Sequence, residues 1–431
     1  MKQKTFSTLP IKEQALLIGF QEAGNMIGER NVSFEELSAL AETAGLETVL
    51  KTEIKLRDIN PATYIGAGKV KELAELGAEF PDLHLYIFDT ELSNAQHKNL
   101  EDALQAKIMD RTGLILEIFA QRARTKEGKL QVECAQLSYL LPRLTGLWSH
   151  LSRQYAGAGT KGPGETQLEL DKRKARARLQ RLREELADIR SNRELQRKAR
   201  SKSRETAVAL VGYTNAGKST LMNALTNADV LVEDKLFATL DPTIRLYKAK
   251  NNEQLVFIDT VGFIRHLPHG LVEAFKATLE EAEKADVIVH VADASAPDAV
   301  EQIKAVEAVL SEIGADSNPR ILALNKKDAL SFARYHELKA MYPEAVFISA
   351  KEKDNFEALL DLILEKRKAP RPWARLRLPP DRGDLVAKLF ARCTVRDLEY
   401  KEDAITLEAE IPKDLRAEFF PYREKSQGEQ S

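Results

Sequence analysis

The stretch TAVALVGYTNAGKSTLMNAL, residues 206–225, decides the fold. An apolar run with strand character enters a turn of pattern G-x-x-x-x-G-K-S, and a helical pattern leaves it. This is the setting a phosphate-binding P-loop requires. Gly212 and Gly217 allow the tight backbone path that turns successive N–H groups toward an anion, and the helix that follows adds its positive end. Tyr213, Thr214, Asn215 and Ala216 complete the loop. Lys218 can reach the outer phosphates, and the Ser219 hydroxyl can ligate Mg²⁺.

Three further loops extend the reading. LVFIDTVG (255–262) is an apolar strand ending in D-x-x-G. Asp259 is placed to hold the Mg²⁺ shell and the Gly262 N–H to meet a γ-phosphate, with Thr260 and Val261 between them. ILALNKKD (321–328) ends in N-K-x-D, and VFISAK (346–351) ends in S-A-K. Each motif follows a strand, at the end where open α/β sheets bind ligands. The Asp328 carboxylate can accept from guanine N1–H and the 2-amino group, donors that adenine lacks. A site built on such bonds rejects the analogue by on the order of 10⁴-fold. Asn325, Lys326 and Lys327 support the base and its loop, and the loop Ser349, Ala350, Lys351 offers the Ala350 N–H to the guanine O6. Together the four loops imply a GTP-binding domain.

The rest of the composition narrows the class. A chain of 431 residues has room for about three domains, and its 43% hydrophobic content supplies cores for them. Two cysteines, Cys134 and Cys393, are too few for a disulfide framework. No apolar run reaches the ~18 residues of a membrane span. The N-terminal residues read as neither signal nor transit peptide, so a cytoplasmic protein is expected. The net charge of −2 conceals an uneven distribution: residues 171–204 carry 14 Lys or Arg against 5 Asp or Glu. Within them Leu179, Leu182, Leu186 and Ile189 form one helical stripe, leaving the basic residues off it. A lopsided basic helix in an otherwise acidic chain points to RNA phosphates.

Ahead of that helix, residues 1–110 alternate strand and helix patterns. Strands are expected at 15–20, 48–56 and 83–90, with a short one at 106–110. Helices are expected at 33–45, opened by a capping box of Ser33 and Glu36 and stopped at Gly45, and near 93–105. From 111 to 143 the pattern is helical. YAGAGTKGPGET (155–166) is Gly-rich and is expected to close a helical hairpin between LQVECAQLSYLLPRL (130–144) and the basic helix. Arg143, Arg153 and Lys161 lie near it and join Lys172, Arg173, Lys174, Arg176 and Arg178 as candidate RNA contacts. YIGAGKV (64–70) imitates a P-loop, but Thr63 stands where the first glycine belongs, so it reads as a turn capping a helix. Beyond the nucleotide motifs, 367–383 reads as a Pro- and Arg-rich linker. A helix and two strands, TVRDLEY and AITLEAEI, follow before a polar tail.

DRTGLILEIFAQRARTKEGKLQVE (110–133), GAGTKGPGETQLELDKRK (157–174), LFATLDPTIR (236–245) and DTVGFIRHLPHGLVEAF (259–275) are long and unusual strings. Through them nearly the whole chain resembles the HflX-type GTPases of the Obg–HflX group. The resemblance implies a GTP/GDP-binding protein of the large ribosomal subunit and the 70S ribosome; nothing in the sequence suggests an obligate dimer, so a monomer is expected. It further implies a role in splitting or rescuing stalled ribosomes under stress, with the N-terminal half reaching rRNA near the peptidyl-transferase region. A GTP-dependent ribosome-assembly factor or an RNA-remodelling NTPase is the alternative. By the same resemblance, Phe237, Ala238, Thr239, Leu240 and Asp241 form the switch I segment, and Thr239 is its Mg²⁺ ligand, with Thr243 as a rival on sequence alone. Lys218, Thr239 and Gly262 are thus the expected catalytic set, and Ser219 with Thr239 the Mg²⁺ set.

Phe263 follows D-x-x-G, where many GTPases carry a Gln that positions water. Phenylalanine cannot do so, and slow turnover that ribosomes stimulate is expected. Asn215 resembles the P-loop Asn of GTPases that bind K⁺ beside the phosphates, and it equally serves as a loop-stabilising residue. The expected fold is α/β. A central P-loop GTPase domain (205–369) follows a small α/β domain (1–110) and a helical part with the Gly-rich loop (111–204). A small α+β C-terminal domain (370–431) completes the chain.

Overall fold

The computed structural model describes residues 13–21, 27–143, 163–200, 205–226, 236–249, 253–265, 279–367, 373–401, 403–411 and 415–424. Arg153, Lys161 and the glycine-rich loop up to residue 162 lie outside them. The described residues fall into two units. The first takes the chain up to 187 together with 236–241 and 264–265, and the second takes the remainder.

In the first unit, β1 (Gln14–Gln21), α1 (Ile27–Thr43), β2 (Glu47–Lys55), α2 (Ala67–Ala78), β3 (Leu83–Phe88), α3 (Asn94–Leu104) and β4 (Lys107–Asp110) alternate along the chain. The strands pair in the order β2-β1-β3-β4, all parallel. Leu16, Ile18, Tyr86 and Phe88 from the sheet and Leu73 and Leu100 from the helices make one core. Gly45 ends α1 with φ +81, as a helix-stopping glycine should. Ser33 does not open the helix: α1 begins at Ile27, and Ser33 lies inside it. Glu36 is instead drawn to Arg111, which is buried between Glu36 and Asp89. A buried guanidinium needs such compensation.

Two helices follow, α4 (Arg111–Arg122) and α5 (Lys126–Leu140), capped by Asp110 and Thr125. The long α6 (Pro163–Arg200) carries the basic sequence. Leu179 and Leu182 of its apolar stripe are buried, and Arg178 makes a double hydrogen bond to Glu133 of α5.

The second unit holds β5 (Glu205–Val211), α7 (Lys218–Thr226), β6 (Thr243–Lys248), β7 (Gln254–Asp259), β8 (Val287–Asp293), α8 (Ala299–Glu312), β9 (Arg320–Asn325), α9 (Phe332–Met341), β10 (Val346–Phe347) and α10 (Phe356–Lys366). The sheet order is β10-β9-β8-β5-β7-β6, parallel except for the edge strand β6. β5 sits between β7 and β8, so the loop after it emerges mid-sheet.

The segment expected to be a linker contains a strand, β11 (Trp373–Leu378), which pairs antiparallel with a later strand. Its alternation turns Ala374, Leu376 and Leu378 inward while Arg375 and Arg377 face out. The flanking prolines hid a period-2 pattern. With α11 (Gly383–Arg392), β12 (Thr394–Tyr400) and β13 (Ile405–Glu410), it builds a three-stranded sheet with its own core around Leu389, Leu407 and Phe419.

Candidate active site

The four nucleotide loops all leave the same end of the second unit's sheet. The P-loop begins where β5 stops. Gly212 adopts φ +153, and a Cβ there would stand 2.0 Å from the Val291 carbonyl oxygen of β8. Gly217 adopts φ +91, and its Cβ would fall 2.2 Å from Asn325 Nδ2. Both positions therefore need glycine for space as well as for backbone angle. Asn215, at the exposed tip, has φ +60, a left-handed conformation that Asn tolerates better than most residues. Tyr213, Thr214 and Ala216 are buried.

Lys218 opens α7 with its ammonium folded back on the loop, donating to the carbonyls of Gly212 (3.0 Å) and Tyr213 (2.8 Å). Burial pushes this ammonium down to about 8, and the Asp259 carboxylate opposes part of the shift. The Ser219 hydroxyl donates to Asp259 Oδ2 at 2.6 Å. A hydroxyl and a carboxylate so placed are hard oxygen donors of the kind Mg²⁺ takes. The buried Thr214 hydroxyl has no hydrogen-bond partner among the described residues, so the loop holds polar capacity that a ligand can use.

The D-x-x-G segment is stitched to this loop. Phe263 N–H donates to the Gly212 carbonyl at 3.1 Å, and Thr214 N–H donates to the Phe263 carbonyl at 2.7 Å. A Cβ on Gly262 would lie 2.7 Å from Thr214 Cγ2 and 3.1 Å from Lys218 Nζ. Only glycine lets this backbone come so close to the Lys218 ammonium. Thr260 is tied back to β5, its hydroxyl donating to the Leu210 carbonyl at 2.8 Å, and Val261 is buried. The Phe263 ring is buried as well, which leaves it no route to orient water.

The base-side loops are joined by Asn325. Its Nδ2 donates to the Ala216 carbonyl at 2.9 Å, and its Oδ1 accepts from the Ala350 N–H at 2.9 Å. Asn325 thus ties the P-loop to the S-A-K loop, and the N–H expected to meet the base oxygen is already donated to Asn325. Ser349 donates to Asp328 Oδ1 at 2.5 Å, and this bond holds the Asp328 carboxyl below the usual carboxylate range. Asp328 is therefore an ionised acceptor, as guanine recognition requires. Lys326 pairs with Asp293 (2.7 Å) and Lys327 with Asp354 (2.6 Å), so both lysines brace the loop, while Lys351 is exposed.

The expected switch I residues fall in the first unit. Phe237 is buried there against Phe119, and the Asp241 carboxylate accepts hydrogen bonds from residues 124 and 125. Ala238 and Leu240 flank Thr239 between these two points, with Ala238 exposed and Leu240 buried. Thr243 begins β6 opposite Asp259. Nothing local in the sequence announces the Asp241 contacts, which join residues 116 and 117 positions apart.

Comparison with known proteins fits this geometry. Residues 31–120, 122–200 and 207–326 match the families described as GTP-binding GTPase N-terminal, GTP-binding GTPase Middle Region and 50S ribosome-binding GTPase. The GTPase HflX of Caldanaerobacter subterraneus subsp. tengcongensis is 46% identical over 405 residues, which is 94% of this chain and 92% of that protein. This chain belongs to the HflX family of GTPases. The GTPase HflX of Escherichia coli strain K12 is 42% identical over 88% of this chain and 89% of that protein. An HflX chain is a P-loop GTPase, and its site hydrolyses GTP to GDP and phosphate.

Of the candidate RNA contacts, the structure engages two in the fold. Arg143 donates to Asp110 Oδ2 (3.0 Å) and to the carbonyls of Leu92 (3.0 Å) and Tyr139 (2.9 Å), and it stacks on the Tyr139 ring at 3.6 Å. Its charge is spent on a carboxylate that is fully buried. Arg178 is held by Glu133. Arg173, Lys174 and Arg176 are exposed on α6, and Lys172 is half-buried.

Proposed function

We propose that this HflX GTPase binds the large ribosomal subunit and the 70S ribosome in its GTP state and dissociates stalled ribosomes, under stress in the cytoplasm. The observation that carries this reading is the basic stretch of α6, where Arg173, Lys174 and Arg176 are exposed and Lys172 half-buried within five residues. Each phosphate they neutralise releases counterions, the main sequence-independent source of affinity for RNA. The match of residues 207–326 to a family described as 50S ribosome-binding GTPase supports the same partner. Arg143 and Arg178 drop out of the proposed contact set, and the glycine-rich loop with Arg153 and Lys161 remains in it.

In this reading Lys218 binds the outer phosphates, and Ser219 and Thr239 hold Mg²⁺, which neutralises charge developing on the transferred phosphoryl group. Gly262 offers its N–H to the γ-phosphate, and Asp328 selects guanine. Phe263 supplies no water-orienting group, so intrinsic turnover is slow and ribosome contact accelerates it. Asn215 has a conformational reason of its own in its left-handed backbone. A K⁺ bound beside it would show as faster turnover in K⁺ than in Na⁺.

Sedimentation of 70S ribosomes through sucrose gradients with GTP, GDP or a non-hydrolysable GTP analogue tests the proposal. Dissociation into subunits with the analogue is expected. Absence of the protein from ribosomal fractions in every nucleotide state would overturn it.

A further inference from the structure

The Thr214 hydroxyl is a buried group that the nucleotide loops leave unpaired. Thr214 is only 6% exposed, and its Oγ1 makes no hydrogen bond among the described residues. Three other hydroxyls of these loops are engaged: Ser219 donates to Asp259, Thr260 to the Leu210 carbonyl and Ser349 to Asp328. Burying a hydroxyl without a partner costs free energy, and a valine of the same shape would avoid that cost. A buried polar group of this kind in a native fold calls for an explanation, and a catalytic role is one.

The surroundings of Thr214 suit such a role. Its N–H donates to the Phe263 carbonyl at 2.7 Å, and the Phe263 N–H donates to the Gly212 carbonyl at 3.1 Å. These bonds bridge Tyr213 to Phe263 and fix the Thr214 backbone against the D-x-x-G segment. A Cβ on Gly262 would lie 2.7 Å from Thr214 Cγ2, 2.9 Å from Thr214 Cα and 3.1 Å from Lys218 Nζ. Thr214 therefore stands beside both Gly262 and the Lys218 ammonium, and its hydroxyl shares a Cβ with the methyl that faces Gly262. The position after Gly262, where many GTPases orient water, holds Phe263, whose buried ring has no hydrogen-bonding atom.

We propose that Thr214 is a catalytic residue of the GTPase reaction, its hydroxyl orienting the attacking water, a task the Phe263 ring cannot perform. The proposal rests on the reading of Lys218 and Gly262 as the groups that meet the outer phosphates. In the reaction a water oxygen bonds to the γ-phosphorus. The bond from that phosphorus to the β–γ bridging oxygen breaks, its electron pair stays on GDP, and the water proton passes to the released phosphate. The Thr214 hydroxyl accepts a hydrogen bond from the water, which turns a water lone pair toward the phosphorus, and it keeps its own proton throughout. Its backbone is fixed by the bridge to Phe263, and a group placed in advance costs no reorganisation when the reaction occurs.

The test uses the full chain and two variants that divide the Thr214 side chain between them. Thr214→Val removes the hydroxyl and keeps the methyl against Gly262. Thr214→Ser keeps the hydroxyl and removes the methyl. Single-turnover hydrolysis at saturating GTP should slow on the order of 100-fold in Thr214→Val, with GTP and GDP affinities within about twofold of the parent. Its denaturation midpoint should not fall, since the unpaired hydroxyl is gone. Thr214→Ser should recover turnover to within about threefold of the parent. Turnover in Thr214→Val as fast as in the parent would overturn the proposal, and so would a Thr214→Ser as slow as Thr214→Val. Equal losses of GTP and GDP affinity with kcat unchanged would assign the side chain to packing alone and overturn it too. Lys218→Ala separates the two readings. If it binds and hydrolyses GTP like the parent, the phosphate-site reading fails and the role of Thr214 with it. If it is impaired while Thr214→Val is fully active, the role of Thr214 alone fails.

Discussion

The chain writes nearly the same tetrapeptide twice: G-A-G-K at 66–69 in the first unit and N-A-G-K at 215–218 in the second. Both run into the start of a helix beside a parallel sheet. At the first, Gly66 is a helix N-cap with φ −65, and a Cβ on Gly66 or Gly68 would meet nothing within 4 Å. The turn closes on itself, with Asn60 Oδ1 accepting from the N–H groups of Ala62 and Thr63, and Lys69 pairs with Glu72 on the helix surface. At the second, both glycines have positive φ and press against backbone or Asn325, and the lysine is buried. A phosphate loop is therefore marked less by its letters than by crowding around the glycines and by a lysine withdrawn from water. The first loop spends its groups on ending a turn. The second keeps its lysine and the Thr214 hydroxyl where a ligand can use them.

Substitution should separate the two loops most sharply. Gly217→Ala and Lys218→Ala are expected to weaken GTP binding on the order of 1,000-fold, since each disrupts a buried, charge-assisted phosphate contact. Gly66→Ala and Lys69→Ala should leave it within twofold, measured by fluorescent-nucleotide titration. A comparable loss from Gly66→Ala would mean that the first loop is a nucleotide site after all. Next in size is Asp328→Asn, which turns one of the two carboxylate acceptors for guanine into an amide donor. GTP affinity should drop on the order of 100-fold, with ATP affinity not improved.

The buried lysine predicts a pH signature found only at the second loop. Its pKa near 8 means that it loses its proton above that pH, and nucleotide phosphates must then restore the proton on binding. GTP affinity should be flat from pH 6.5 to 7.5 and fall by up to about tenfold per unit above pH 8. A flat profile to pH 9.5 would show that Lys218 stays charged without ligand.

Below these effects comes the stability of the second sheet in acid. His290 is fully buried in β8, and burial together with the charges of Arg320 and Lys218 pushes it down to about 3. The unfolded chain takes up this proton near pH 6.5 and the folded chain does not. Stability is therefore lost as pH falls from about 6.5 toward 3, by at most ~1.4 kcal/mol per unit. His290→Leu should flatten that slope in denaturant titrations. An unaltered slope would assign it to other groups.

Legibility in the sequence followed locality. The four nucleotide loops were readable because each is a short run with its chemistry at fixed spacing, placed by the strand before it. Gly45, the turn that caps α2 and the leucine stripe of α6 were readable for the same reason. What escaped depends on residues far apart in the chain. By spacing Glu36 belongs to a local cap, but it answers to Arg111, 75 positions on. Arg143 reads as an RNA contact from its sequence neighbours, whereas Asp110 and Tyr139 engage it in the fold. Asp241 reads locally as a nucleotide residue, and its bonds to the start of α5 cross more than a hundred residues. The strand β11 was hidden differently, its alternation masked by the prolines on either side.

The smallest effect returns to the imitation loop. Gly68 lies in the first turn of α2, exposed, with a negative φ and open space where a Cβ would go. Alanine there loses less backbone freedom on folding and clashes with nothing, so Gly68→Ala should stabilise the first unit by up to about 1 kcal/mol. The same change at Gly217 brings a Cβ to 2.2 Å from Asn325 Nδ2. One substitution at two G-K steps thus has opposite signs. Denaturant titration of both variants reads that difference directly. Destabilisation by Gly68→Ala would mean that the first loop needs its glycine for a reason other than ending a turn.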